Sequence, residues 1–247
     1  MPSEFYIYLI LGALAGGFIN GLSGMGTALF ALGFFLVVLD PIQAVAVVTL
    51  LSVLAGVQGV WIVRRHIFTK PGRLARYIVP GLIGVPLGLS LLQLIDGRTM
   101  RIAISVLLII YGGYFGFRTA LPAFARKTPI LDSCIGLIGG VMGGAAGVSG
   151  AIPGMWMSLR PWTKFETRSV LQPFNMALLS TTVILLALKG AYDATTLKAF
   201  FVTVPVGLIA AQIGITVFKA IGDQTFRRLL ILLTLAMGLG ILVSELL

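Results

Sequence analysis

Five stretches of the chain, residues 77–95, 99–117, 169–188, 199–218 and 229–243, are strongly apolar and almost free of charge. Each is about as long as a membrane-crossing helix requires, ~17–25 residues. Residues 41–63 form a sixth run of the same kind, closed by Arg64 and Arg65. Two further apolar stretches are different. Residues 5–39 are interrupted by Asn20-Gly21-Leu22-Ser23-Gly24-Met25-Gly26, and residues 133–159 by Gly143-Gly144-Ala145-Ala146-Gly147-Val148-Ser149-Gly150. Glycine weakens a helix by ~1 kcal/mol relative to alanine, so a cluster of this density favours a break. Residues 5–39 are also too long for one ordinary span at ~1.5 Å rise per residue. The pattern predicts an all-α, polytopic helical membrane protein. Its spanning helices are expected at 41–63, 77–95, 99–119, 166–188, 197–218 and 227–245, with a broken or re-entrant segment opening each half. Close helix packing is the other use of small residues in membranes, and Gly81, Gly84, Gly88, Gly112 and Gly116 are assigned to it.

Composition narrows the class. Soluble chains carry about 25% charged residues, whereas here 11% are charged, 58% are hydrophobic and mean hydropathy is +1.04. A chain so poor in charge cannot clothe itself against water, so lipid is its outer solvent. Residues 5–20 follow no basic stretch and precede no small-residue cleavage site, and are read as retained. Cys134 and His66 are the lone cysteine and histidine. They exclude an internal disulfide and a Cys/His metal cluster, and no cofactor is expected. No GxxxxGK[ST] motif is present, which argues against ATP hydrolysis.

The net charge of +10 changes the picture through its distribution. Arg64, Arg65, Lys70, Arg73 and Arg76 bracket one loop, and Arg118, Arg126 and Lys127 bracket residues 121–132. Arg160, Lys164 and Arg168 form a third group, and Lys219, Arg227 and Arg228 a fourth. Only Arg98, Arg101, Lys189 and Lys198 lie in the alternate loops. Cytoplasmic loops carry the Lys/Arg excess, so the four groups are expected inside and Asp40, Asp96 and Asp193 outside. The excess is topology and not a nucleic-acid surface. At one constant offset Gly16, Gly17, Gly21 and Gly24 fall on Gly139, Gly140, Gly144 and Gly147. At a second, Gly81, Gly88, Thr99, Arg101 and Gly112 fall on Gly207, Gly214, Thr225, Arg227 and Gly238. The chain is therefore expected to divide into a first repeat (1–120), a linker (121–132) and a second repeat (133–247). Three spans per half put the second repeat upside down relative to the first, a pattern that points to secondary transporters.

The acidic residues Glu4, Asp40, Asp96, Asp132, Glu166, Asp193, Asp223 and Glu245 all avoid the middle of an apolar run. Intramembrane cation and proton sites are built on such groups, so a cation permease is the weaker reading, and no paired-carboxylate or Ser–His catalytic arrangement is available. What remains in the membrane is neutral and rich in donors. Asn20, Ser23, Gly24, Gly26 and Thr27 lie at the first break, and Gly147, Ser149 and Gly150 at the second. A helix starting at a break presents unpaired N–H groups and the positive end of its dipole, which together suit an anion. Arg168, Gln172 and Asn175 step by four and then three, so they share one helix face. The plainer readings are a snorkelling Arg168 and hydroxyls bonded to their own helices.

These motifs, the duplicated breaks Gly21–Gly26 and Gly144–Gly150 with Arg168 to Asn175 after the second, resemble the sulfite exporter TauE/SafE family over essentially the whole chain. Thr27 and Ser149 stand where that family often has glycine. The resemblance implies a multi-pass permease of the cell membrane, of the bacterial inner-membrane type, exporting sulfite, an organosulfonate or a related sulfur anion. The expected partners are a small anionic substrate and the lipid bilayer, with no nucleic acid and with homo-oligomerisation left open. A membrane scaffold or assembly protein without substrate is the alternative.

Overall fold

The computed structural model describes residues 3–94, 97–116, 124–146 and 148–246. Among the described residues the chain is helical and contains no strand. In order the helices are α1 (Ser3–Ser23), α2 (Thr27–Phe35), α3 (Pro41–Thr69), α4 (Pro71–Leu94), α5 (Gly97–Gly116), α6 (Pro129–Ala146), α7 (Ala151–Ser158), α8 (Lys164–Leu188), α9 (Ala194–Ala220) and α10 (Asp223–Leu246). Ser3–Ser23, Ile42–Thr69, Lys164–Leu188, Ala194–Ala220 and Asp223–Val243 are long and apolar enough to cross a bilayer. Trp61, Ile110, Phe201 and Ile209 are exposed on these and neighbouring helices, as a surface solvated by hydrocarbon allows.

Local chemistry sets the helix starts. Thr163 caps α8, accepting from the Glu166 amide at 3.2 Å while Glu166 Oε2 accepts from the Thr163 amide at 3.2 Å, a reciprocal box that satisfies two end donors. Asp193 caps α9 by accepting from the Thr196 amide at 2.8 Å, a bond that holds its carboxyl below the usual carboxylate range. Its other oxygen accepts from Gln43 Nε2 at 2.8 Å, tying the start of α9 to the start of α3. Pro41 occupies the first turn of α3, where its missing N–H costs nothing.

The two interrupted stretches are helical hairpins. α2 folds back on α1, with Thr27 and Ala31 against Gly16 and Phe35 against Gly12, and it returns to a cluster containing Phe5, Leu9 and Leu39. α7 folds back on α6 in the same way: Ser149 and Pro153 lie against Gly139, and Trp156 Nε1 donates to Asp132 Oδ1 at 2.8 Å. The first hairpin opens at the end that carries Asp40 and Asp193. The second opens at the end where α4 begins.

α1 packs on α9, α4 on α6, α3 on α8 and α5 on α10. Glycine makes the first two contacts possible. A Cβ at Gly17 would strike the carbonyl oxygen of Gly207, and one at Gly214 that of Phe18; a Cβ at Gly140 would strike the carbonyl oxygen of Gly81, and one at Gly88 that of Val141. Backbones approach this closely only where no side chain intervenes.

Candidate functional site

The first hairpin turns at Gly24-Met25-Gly26. Gly24 and Gly26 have φ of 84° and 87°, a left-handed conformation that glycine adopts without a Cβ clash. The other glycines of that run serve elsewhere: Gly21 continues α1 and admits the Ala211 carbonyl of α9. Ser23 fastens the turn, its hydroxyl accepting from the Met25 amide at 3.2 Å and lying 2.9 Å from the Met25 carbonyl oxygen. The second hairpin turns at residues 147–150, of which Gly147 lies outside the described residues. A Cβ on Gly150 would come within 2.9 Å of Met25 Cβ, so the two hairpin tips touch inside the protein.

Between the tips lies a cavity of about 30 Å³, room for about two water molecules. Gly26, Thr27, Ser149 and Gly150 line it from the hairpins and Asn20 from α1. Ser52 and Thr49 line it from α3, and Gln172 and Asn175 from α8, while Met25, Met176 and Met237 supply thioether walls. No carboxylate among the described residues lines it. α2 starts at its edge with Gly26 as N-cap, so the first N–H groups of that helix border it, and Gly150, the N-cap of α7, lines it from the second hairpin.

Asn20, Thr27, Gln172 and Asn175 are buried, each at most 5% exposed. Their hydrogen bonds form a chain with one direction. Arg168, in the second turn of α8 and 0% exposed, donates from Nε and Nη2 to Gln172 Oε1 at 3.2 and 3.0 Å. Gln172 Nε2 donates to Asn20 Oδ1 at 3.2 Å. Asn20 Nδ2 donates to Thr27 Oγ1 at 2.7 Å. Thr27 accepts and donates to nothing among the described residues, which leaves its hydroxyl proton free for the cavity. On the other wall Asn175 Nδ2 donates to the Gly24 carbonyl at 3.0 Å and Asn175 Oδ1 accepts from Ser149 at 2.9 Å. That pair bolts the second tip to the first.

Arg168 itself does not reach the cavity. It lies one layer away, with its guanidinium 4.4 Å from the centre of the Phe218 ring, within 3.4 Å of the Asn20 carbonyl, and with Nη1 unpartnered among the described residues. Gly59 of α3 makes space for it, since a Cβ there would meet Gln172 Oε1 and Arg168 Nη2. Of the expected site residues, Asn20, Gly26, Thr27, Ser149, Gly150, Gln172 and Asn175 line one cavity. Ser23, Gly24 and Arg168 stand behind it. The three methionines carried no signal in the sequence, because a methionine on an apolar helix reads as packing.

Two helical hairpins whose tips meet beside a cavity lined by several polar side chains, inside a bundle of membrane-length helices, fit the class of multi-pass membrane proteins. The family model described as Sulfite exporter TauE/SafE matches residues 8–241; the chain belongs to that family of membrane transporters. Neither the curated proteins nor the solved structures contain a match to it.

Proposed function

We propose that the protein is a secondary transporter that exports a small sulfur oxyanion or organosulfonate, with sulfite the simplest case, and that the anion binds in the cavity between the hairpin tips. The observation that carries this reading is the directed chain Arg168 → Gln172 → Asn20 → Thr27. Each member donates toward the cavity, so the cationic end polarises the chain and strengthens the terminal donor. The cation itself stays out of contact with the anion, which favours release as well as binding. Gln172 and Asn175 each keep a second amide proton, and the first N–H groups of α2 add neutral donors.

Met25, Met176 and Met237 in the cavity wall are the side chains best able to adjust to an anion, since unbranched thioethers change rotamer cheaply. We further read residues 1–120 and 133–247 as inverted repeats that rock about this site, joined by the linker 121–132. The reciprocal close contacts, Gly17 with Gly207 and Gly81 with Gly140, support that reading. Among the described residues a cation permease has no carboxylate here to use, and a scaffold has no need of a buried arginine that lacks a counter-ion among them.

Flux into or out of liposomes containing the purified protein tests the proposal. Sulfite, thiosulfate and methanesulfonate should exchange across the membrane, and phosphate should do so poorly. If none of the sulfur anions moves faster than in protein-free liposomes, the reading fails.

A further inference from the structure

A second polar concavity, of about 480 Å³, opens at the end of the bundle where α4 begins, and the transport reading does not use it. Lys70, Arg73 and Arg76 line it from the start of α4, Arg126 and Lys127 from the segment before α6, and Arg160 from the end of α7. Among the described residues one carboxylate, Asp132, lines it with these six cations, and Glu166, outside that lining, pairs with two of them. Asp132 Oδ1 accepts from Arg160 at 2.9 Å, from Trp156 at 2.8 Å and from Tyr77 at 3.0 Å. Glu166 accepts from Lys70 at 3.1 Å and Arg73 at 3.3 Å. Arg76, Arg126 and Lys127 are exposed and have no carboxylate partner among the described residues. Arg160 is 3% exposed, and its Nε is buried without a partner among the described residues.

The basin therefore sets three exposed cations without a carboxylate partner among the described residues beside two that are held in place. Arg73 is held 4.2 Å over the Trp162 ring, and Arg160 is anchored by the Asp132 bridge and by bonds to the Phe124 and Arg126 carbonyls and to Thr128. Such anchoring lowers the entropy lost when these side chains grip a ligand. The basin also lies at the starts of two apolar helices. α4 starts at Pro71 and α6 at Pro129, and Ile130 and Leu131, in the first turn of α6, are exposed apolar residues, as a surface meeting lipid tails requires. We propose that this basin binds the headgroup of an anionic phospholipid, its phosphate between Arg76, Lys127 and Arg160 and its acyl chains along the apolar start of α6. Basic pockets between membrane helices suit such headgroups, and 480 Å³ is far more space than one small oxyanion fills.

Native mass spectrometry of the detergent-purified protein, titrated with phosphatidylglycerol or phosphatidylcholine of matched chains, tests this. The parent protein should retain phosphatidylglycerol preferentially. At roughly fivefold per near-surface cation, the combined variant Arg76→Gln, Arg126→Gln, Lys127→Gln should lower that preference on the order of 100-fold. These three side chains are exposed and have no carboxylate partner among the described residues, so the variant should melt at the parent's temperature while losing the added stability that phosphatidylglycerol confers. Lys189→Gln with Lys198→Gln, at the opposite end of the bundle, should leave the preference intact. A basin variant that keeps its preference, or a preference lost equally with Lys189 and Lys198, overturns the proposal. Displacement of bound phosphatidylglycerol by millimolar inorganic phosphate would assign the basin to a free oxyanion and overturns it as well.

Discussion

Gly17 of α1 lies against the carbonyl oxygen of Gly207 in α9 with no room for a Cβ between them, and Gly140 of α6 stands in the same relation to Gly81 of α4. The two contacts fix how each hairpin is held by a long helix of the other half. Gly17→Ala and Gly140→Ala should each force two backbones apart and destabilise the purified protein by about 1–3 kcal/mol, the usual range for overpacking. Gly113→Ala is the control, because a Cβ there meets nothing within 4 Å and alanine favours the helix. Thermal unfolding in detergent should rank Gly113→Ala at or above the parent and the other two below it. A Gly17→Ala protein as stable as the parent would contradict the close approach.

The chain of donors makes Gln172 the link between the buried charge and the cavity. Gln172→Leu removes the acceptor of Arg168 and the donor to Asn20 together, at a cost of about 1–3 kcal/mol for the group left unpaired. Sulfite flux should fall by roughly 5- to 150-fold, the range that energy corresponds to, in protein that still inserts and purifies. Arg168→Lys keeps the charge and loses the two-nitrogen grip on Gln172 Oε1, so its flux should also fall well below the parent's. Parental flux in both variants would return these residues to a structural role.

Orientation is tested by labelling. In a Cys134→Ser background, a cysteine at Thr69, at the end of α3, should react with an impermeant maleimide only from the cytoplasmic side. One at Ala194, exposed at the start of α9, should react only from outside. Labelling of both from one side would refute the orientation drawn from the Lys/Arg distribution.

Most of the fold is written in hydropathy, and the departures have simple causes. The run 166–188 corresponds to α8 (Lys164–Leu188) and 197–218 to α9 (Ala194–Ala220), but α3 runs on to Thr69 and α4 starts at Pro71. Charged residues such as Arg64 and Arg73 end an apolar run without ending a helix, because their heads reach the interface while the backbone continues. The breaks were legible as regions only. Positive φ confines the first to Gly24–Gly26, whereas Gly21 is a packing glycine, and composition cannot separate the two uses. At the site, periodicity correctly put Arg168, Gln172 and Asn175 on one face, but which of them lines the cavity depends on how α8 is rotated against α3. The Arg160–Asp132 bridge escaped notice for a related reason: the two residues lie far apart in sequence, each at a helix end that reads as solvated.

Thr27 tests the central claim most directly, since it ends the donor chain and faces the cavity. Sulfite binding to purified protein should be measured by titration calorimetry for the parent, Thr27→Val and Thr27→Asp, each first shown to be folded. Thr27→Val loses one donor and should bind more weakly by ~1–2 kcal/mol. Thr27→Asp adds a carboxylate, and at ~6 Å two unit charges repel by roughly 3 kcal/mol at an effective dielectric constant of 20, which takes binding down on the order of 100-fold. Folded Thr27→Asp protein that binds sulfite as tightly as the parent would show that the anion site is not between the hairpin tips.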